Sequence, residues 1–312
     1  MEGRRPKQDI IPRPALRIGR LREFGIPALD QLVQQRRVFN RMDWWTPYDW
    51  LSYDGFSAAV LARGIVGALL VTPMDAHIND RLMLQGNAHV AWVRWCAIAD
   101  GVSASRVIQL LFENSFDSLL HAGITSLYAI VESMSWMAPY LHEAQFTGVD
   151  QVVTMICRHP ATACYQVSVP PDVMVRQAKQ ADLPDVLAID QSAFEELWQY
   201  PLPILIKALE SSVYFSVAIQ QELVVGYQFA SADGQGAHIT RLAVRSDMQR
   251  HGIGAALLAD ALKHLSSSWQ VRYITLNTQL SNGASQKLYR QFHFELQQPS
   301  MRVLRRMLNS CA

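Results

Sequence analysis

The sequence predicts a protein of mixed α/β (α+β) class built from two successive copies of one unit, and three observations carry that prediction. Residues 56–67, FSAAVLARGIVG, align without a gap on residues 215–226, FSVAIQQELVVG. Farther along, 95–101 (WCAIADG) matches 241–247 (RLAVRSD), and 127–133 (LYAIVES) matches 273–279 (YITLNTQ). The order is the same in both copies and the spacings differ by a few residues. After the second and third matches, each copy carries a stretch of helical period. Strand-like and helix-like segments therefore alternate, as expected of a sheet with helices packed on it.

Taken in order, residues 1–13 form a tail rich in Arg, Lys and Pro. The tail lacks the apolar core of a secretory signal, and a solvated, frayed end explains it better than a binding arm does. Residues 14–157 make the first copy. In it, 56–67 reads as strand, tight turn, strand. A strand at 95–101, an amphipathic helix, a strand at 127–133 and a helix ending in APYLHEAQF follow. This copy holds Trp44, Trp45, Trp50, Trp92, Trp95 and Trp136, six of the eight tryptophans. Aromatic core filling accounts best for the cluster WWTPYDWLSY at 44–53, with an acceptor or partner surface as the alternative. Residues 158–172 gather prolines and polar residues and break the periodicity, so they read as a linker. Residues 173–312 then repeat the series, ending in a helix that closes with QKLYRQFHF.

Bulk properties limit the function classes. A length of 312 residues suffices for two cores. The net charge of +1 provides no basic field for nucleic acid. The longest apolar run, 56–73, is interrupted by Arg63 and Gly64 and is too short on either side to span a bilayer, so no membrane partner is expected. Cys96, Cys157, Cys164 and Cys311 show no C-x-x-C pairing, which suits free thiols in a reducing cytoplasm. No histidines stand at metal-ligand spacing, and no metal is expected.

The copies differ at one place. Residues 249–258 read QRHGIGAALL, where the first copy has VSASRVIQ without a glycine. Gly costs about 1 kcal/mol relative to Ala inside a helix. Yet the helix plainly continues, with Ile253, Leu257, Leu258, Ala261, Leu262 and Leu265 on one face. The strand-like 237–244 precedes it. Strand, loop, glycine turn and helix together make a place where backbone amides and the helix dipole can hold an anion. A tight turn alone would look the same. The loop is not a Walker loop, because no G-K-[ST] follows. It is not the G-x-G-x-x-G dinucleotide fingerprint either, because Leu257 stands at the third glycine.

Two motifs then give the second copy a resemblance. Gln249, Gly252 and Gly254 meet the Q/R-x-x-G-x-G/A signature of the GNAT superfamily of N-acyltransferases. Asn282, Leu288, Tyr289 and Phe294 meet that family's N-x-x-A-x-x-L-Y-x-x-x-G-F pattern, with Ser285 in place of the usual alanine and His293 in place of the usual glycine. Residues 173–312 thus resemble a GNAT domain, and 14–157 a degenerate copy of one. The resemblance implies two tandem GNAT folds, each a mixed, mostly antiparallel sheet flanked by helices.

The resemblance also implies acetyl-CoA as co-substrate and a primary amine, on a small molecule or a peptide, as acceptor. Attack would be direct, within a ternary complex. Amides around Arg250, His251, Gly252, Ile253, Gly254 and Ala255, following Gln249, would hold the pyrophosphate. Backbone groups of Leu242, Ala243 and Val244 would hold the pantetheine arm and the acetyl carbonyl, with Asn282 on the pantetheine. Tyr289 would protonate the departing thiolate. His238 is a candidate base, since imidazole titrates near neutrality, although an ordinary strand histidine would look alike. Residues 193–201, AFEELWQYP, would line the acceptor, with Trp198 and Tyr200 as an aromatic wall and Glu195 or Glu196 attracting a cationic amine. This segment faintly resembles ribosomal-protein N-terminal acetyltransferases. A non-catalytic acyl-CoA-binding regulator is the competing function.

Overall fold

The computed structural model describes residues 15–41, 46–62, 64–73, 89–163, 170 and 172–308. The basic tail, Trp44, Trp45, Cys164 and Cys311 lie outside them. The first half runs β1 (Leu16–Arg20), α1 (Gly25–Val33), β2 (Arg37–Asn40), β3 (Phe56–Leu61), β4 (Gly64–Pro73), β5 (Val90–Ile98), α2 (Ala104–His121), β6 (Ser126–Glu132), α3 (Ala138–Glu143) and β7 (Thr147–Cys157). A single turn, α4 (Pro160–Ala163), follows β7. The second half runs β8 (Met174–Gln177), α5 (Leu183–Ala193), α6 (Leu202–Ser211), β9 (Tyr214–Gln220), β10 (Leu223–Asp233), β11 (Gly236–Val244), α7 (Ile253–Ser268), β12 (Tyr273–Gln279), α8 (Gly283–Gln291) and β13 (Glu295–Met307).

The internal repeat extends to backbone irregularities. Ala62 and Gln221, equivalent residues of the first hairpin in each half, both take left-handed φ values of 57° and 48°. Each hairpin has a register shift just before the equivalent residues Gly67 and Gly226. At Gly226 a Cβ would sit 2.9 Å from the Ala243 carbonyl, so the close approach of two strands excludes a side chain there. A second shift passes over Arg94 in β5 and over its equivalent Thr240 in β11. Gln145 and His293, at the ends of α3 and α8, have φ of 62° and 58°. His293 therefore occupies a left-handed position that glycine would suit, at some conformational cost.

Helical periodicity holds as well. Ile253, Leu257, Leu258, Ala261, Leu262 and Leu265 of α7 are all buried, and α2 buries Val107, Ile108, Leu111, Phe112 and Leu119 against the first sheet half. Strands β3 and β9 are apolar along nearly their whole length because both their faces are covered.

One continuous sheet joins the halves, in the order β1-β3-β4-β5-β6-β13-β7-β12-β11-β10-β9-β8, with β2 paired to β5 off this path. The join is an exchange. The first half's last strand, β7, pairs antiparallel with β12 of the second half. The second half's last strand, β13, pairs with β6 of the first. The two exchanged strands also pair with each other. None of these strand edges is left open at the middle of the molecule.

Candidate active site

The site begins where β11 and β12 part. They pair in parallel only from Gly236 to Ile239 and from Tyr273 to Leu276. Beyond that point β12 no longer pairs with β11, and Thr240, Arg241 and Leu242 line a groove. The bulge at Thr240 reverses side-chain parity within β11. That is why alternation in the sequence could not say which way His238 faces.

At one end of the groove stands the N-terminus of α7. Its N-cap is Gly252, with φ of 81° and no side-chain cap on the helix amides. Two local reasons fix glycine here. The left-handed backbone disfavours a Cβ, and a Cβ would meet Pro170 Cγ at 2.7 Å. Gly254 is less constrained, since its Cβ would meet Leu288 Cδ2 at 3.3 Å. Gln249 donates its side-chain amide to the Val244 carbonyl at 3.2 Å and so ties the loop to the end of β11. Arg250 and His251 are exposed. Ile253 and Ala255 are buried, as are Ala243 and Val244, so these residues can offer a ligand only backbone groups.

At the other end lies a cavity of about 550 Å³, lined by His238, Leu242, Asn282, Ser285 and Tyr289 among others. Tyr289 is 7% exposed. Burial pushes its phenol up to about 12, while its hydrogen bond with Ser285 and the charge of Arg241 pull the other way. It is therefore a protonated donor at neutral pH. Asn282 caps α8 by accepting from the Ser285 amide at 3.0 Å, which leaves its NH₂ as the group it can offer a ligand. His238 Nδ1 lies 2.9 Å from Thr275 Oγ1, and that hydroxyl donates to the Ala237 carbonyl at 3.3 Å. With that hydroxyl donating to Ala237, its oxygen is the acceptor for Nδ1–H of the imidazole.

The loop after α5 forms one wall through Phe194, Leu197, Trp198, Gln199 and Tyr200. Glu195 and Glu196, expected to attract a cationic amine, are exposed and do not line the cavity. The cause is a single 3-10 turn, Glu196–Trp198, that turns the aromatic residues inward and the carboxylates outward.

Several contributors escaped the sequence. The opposite wall comes from the first half, through Arg41, Thr72, Pro73, Trp92 and Arg94. Trp92 and Trp198 meet across the join, their ring centroids 5.8 Å apart. Asp190 and Arg241 form a buried ion pair behind the loop, with side chains 0% and 9% exposed. No local signature marks these partners, because the chain brings them together only through tertiary packing.

The first half has the equivalent groove, and it is filled. Strands β5 and β6 pair in parallel only over Val90–Trp92 and Ser126–Tyr128 before diverging. Strand β2 then pairs with the freed edge of β5, Arg37 opposite Ile98 through Asn40 opposite Trp95. By the internal repeat, Trp95–Ile98 correspond to Arg241–Val244. Arg41 completes the closure by donating to the Ile130 carbonyl at 3.0 Å and pairing with Glu132 at 3.2 Å. The N-terminus of α2 also lacks a side-chain cap. The missing side-chain cap therefore does not distinguish the halves; the left-handed glycine N-cap of α7, against the extended Ser103 at α2, and the strand edges do.

Among the described residues no group of His, Cys, Asp or Glu is placed to hold a metal ion, and no helix is long and apolar enough to cross a membrane. Cys96 and Cys157 are both buried.

Residues 183–294 match the model of the acetyltransferase (GNAT) family. An uncharacterized N-acetyltransferase of Methanocaldococcus jannaschii is 31% identical over 120 residues, which span 38% of this chain and 74% of that protein. An N-alpha-acetyltransferase of Saccharolobus solfataricus is 27% identical over 138 residues, spanning 40% of this chain and 81% of that one. A tandem GNAT protein from the clavulanic acid biosynthesis pathway has the same fold, with a TM-score of 0.63 at 13% identity, over 96% of this chain and 100% of that one. A GCN5-related N-acetyltransferase from Kribbella flavida aligns with a TM-score of 0.65 at 15% identity, over 94% of this chain and 72% of its own length.

Proposed function

The chain belongs to the GNAT acetyltransferase family, and from that premise we propose that it transfers the acetyl group of acetyl-CoA to a primary amine of a small molecule or peptide. One observation carries the reading. The diverging edge of β11 leads from the uncapped amides of α7 to a cavity that holds both a protonated tyrosine and a histidine.

Acetyl-CoA supplies an activated thioester carbonyl when bound. The residues of the groove suit it: the first-turn amides of α7 suit a pyrophosphate, and the backbone edge of Leu242–Val244 suits an extended amide-bearing arm. In the cavity His238, oriented by Thr275, accepts the proton of the attacking ammonium directly or through water. Tyr289 holds a proton at the place where a thiolate would leave. The wall of Trp198 and Tyr200 excludes water from this exchange.

The division of labour between the halves belongs to the same proposal. Residues 173–312 work and residues 14–157 are silent, because β2 occupies the strand edge a cofactor arm would need. The chain then takes one coenzyme A. Calorimetry with acetyl-CoA, followed by thiol release on a panel of amines and N-terminal peptides, tests the reading. One site per chain with turnover on at least one acceptor is the expected result. Binding without turnover on any of them would point to a non-catalytic regulator, and two equivalent sites would refute the silent first half.

A further inference from the structure

The ion pair behind the acceptor wall does more than neutralise two charges. Asp190, on α5, accepts from Arg241 Nε at 2.8 Å and from Nη2 at 2.6 Å through one carboxylate oxygen. The same oxygen accepts from the Tyr227 hydroxyl. Its other oxygen accepts from the Tyr200 backbone amide at 2.7 Å. Arg241 Nη2 also donates to the Trp198 carbonyl at 2.6 Å. The guanidinium carbon lies 3.5 Å from the Phe194 ring centroid and 4.2 Å from that of Tyr200, so two rings of the loop hold it between them. The loop thus touches this one pair at Phe194, Trp198 and Tyr200. Gln199 closes it from the side by donating to the Phe194 carbonyl at 2.9 Å.

Arg241 also sits on β11, immediately before Leu242, whose backbone edge is the proposed seat of the acyl group. We propose that Arg241 is a positioning residue that locks loop 194–200 to the acyl-holding strand before any acceptor arrives, and so sets acceptor affinity. This rests on reading that loop as the acceptor wall. The planar fork is what the position requires. A guanidinium can lie flat between two rings while donating to a carboxylate and a carbonyl together, whereas an ammonium on a flexible stem cannot meet that geometry. A buried pair kept only for stability would gain nothing from this shape, because well-packed apolar residues often serve stability as well.

Arg241→Lys keeps the charge opposite Asp190 and removes the fork. Phe194→Leu keeps the pair and removes one ring, and it serves should the first variant fail to fold. Kinetics use two probes, a heptapeptide with a free N-terminal serine and phenethylamine, at saturating acetyl-CoA. Either variant should raise the acceptor KM at least fivefold, with acetyl-CoA affinity within twofold of wild type, and Phe194→Tyr should restore it. Hydrogen exchange provides a second arm that needs no acceptor. The Tyr200 amide should be protected in the free protein and should exchange at least tenfold faster in both variants, with α7 unchanged. A chain that acetylates neither probe would undermine the proposed function, yet the exchange arm would still decide this inference. It is overturned if the free wild-type loop exchanges like unstructured chain. It is equally overturned if folded variants keep wild-type exchange in the loop, or if acetyl-CoA affinity falls in step with acceptor affinity.

Discussion

Tyr289 sits in the cavity wall with its phenol pushed up to about 12 by burial, so its proton is held until something more basic than water arrives. If it donates to the leaving thiolate, Tyr289→Phe should lower turnover by roughly 10²–10⁴-fold while the ring still packs and coenzyme A still binds. The raised value also fixes a sign. The acid form is the working form, so Tyr289 should cause no loss of rate on the alkaline side below about pH 10. An alkaline decline near pH 8 that vanishes in Tyr289→Phe would contradict this assignment. Residues at this scale were legible where the chemistry is local. Asn282 and Tyr289 lie at one helix, and their spacing alone places them on one face; Ser285, between them, read only as a departure from the motif, yet it lines the cavity too. Glu195 and Glu196 were legible as charges but not as directions, because one 3-10 turn decides which side chains face the cavity. Asp190 and Arg241, 51 residues apart, left no trace in the sequence at all.

Glycine and cap positions decide whether the elements around the groove form. Gly252 combines a left-handed backbone with Pro170 packed against the place a Cβ would take. Gly252→Ala should therefore cost on the order of 1–2 kcal/mol from backbone conformation alone, read as a lowered thermal midpoint. Asn282→Ala removes the one side-chain cap of α8 and should cost about 1 kcal/mol. An unchanged midpoint in either variant would show that the helix end is held by something else. The glycine signature was visible because it departs from helix propensity. Strand β2 was not visible: Arg-Val-Phe-Asn is a short segment without strand alternation or turn signals strong enough to place it. Its position depends on a bare edge of β5 that exists only once the first half has folded.

At the scale of the molecule, the repeat in the sequence told of two similar halves but not of how they are joined. Strands β7 and β13 are the last strands of their halves, and each pairs with the other half. The sequence cannot say which sheet either one enters. The exchange makes each half depend on the other, since β12 has β7 as its neighbour and β6 has β13. The full chain should therefore melt in one cooperative transition, and an isolated 173–312 fragment, lacking β7, should not give a stable monomer. Two well-separated transitions in the full chain would contradict this coupling.

The central claim is that the groove of the second half takes the cofactor while that of the first is closed by its own chain. Amide hydrogen exchange with and without acetyl-CoA tests it most directly, because it reads both grooves in one sample. The backbone amides around Leu242–Val244 and at the start of α7 should gain protection on binding. Those of Trp95–Ile98, already paired to β2, should be protected beforehand and should not change. Protection gained at Trp95–Ile98 and the start of α2, or none at Leu242–Val244, would contradict the account.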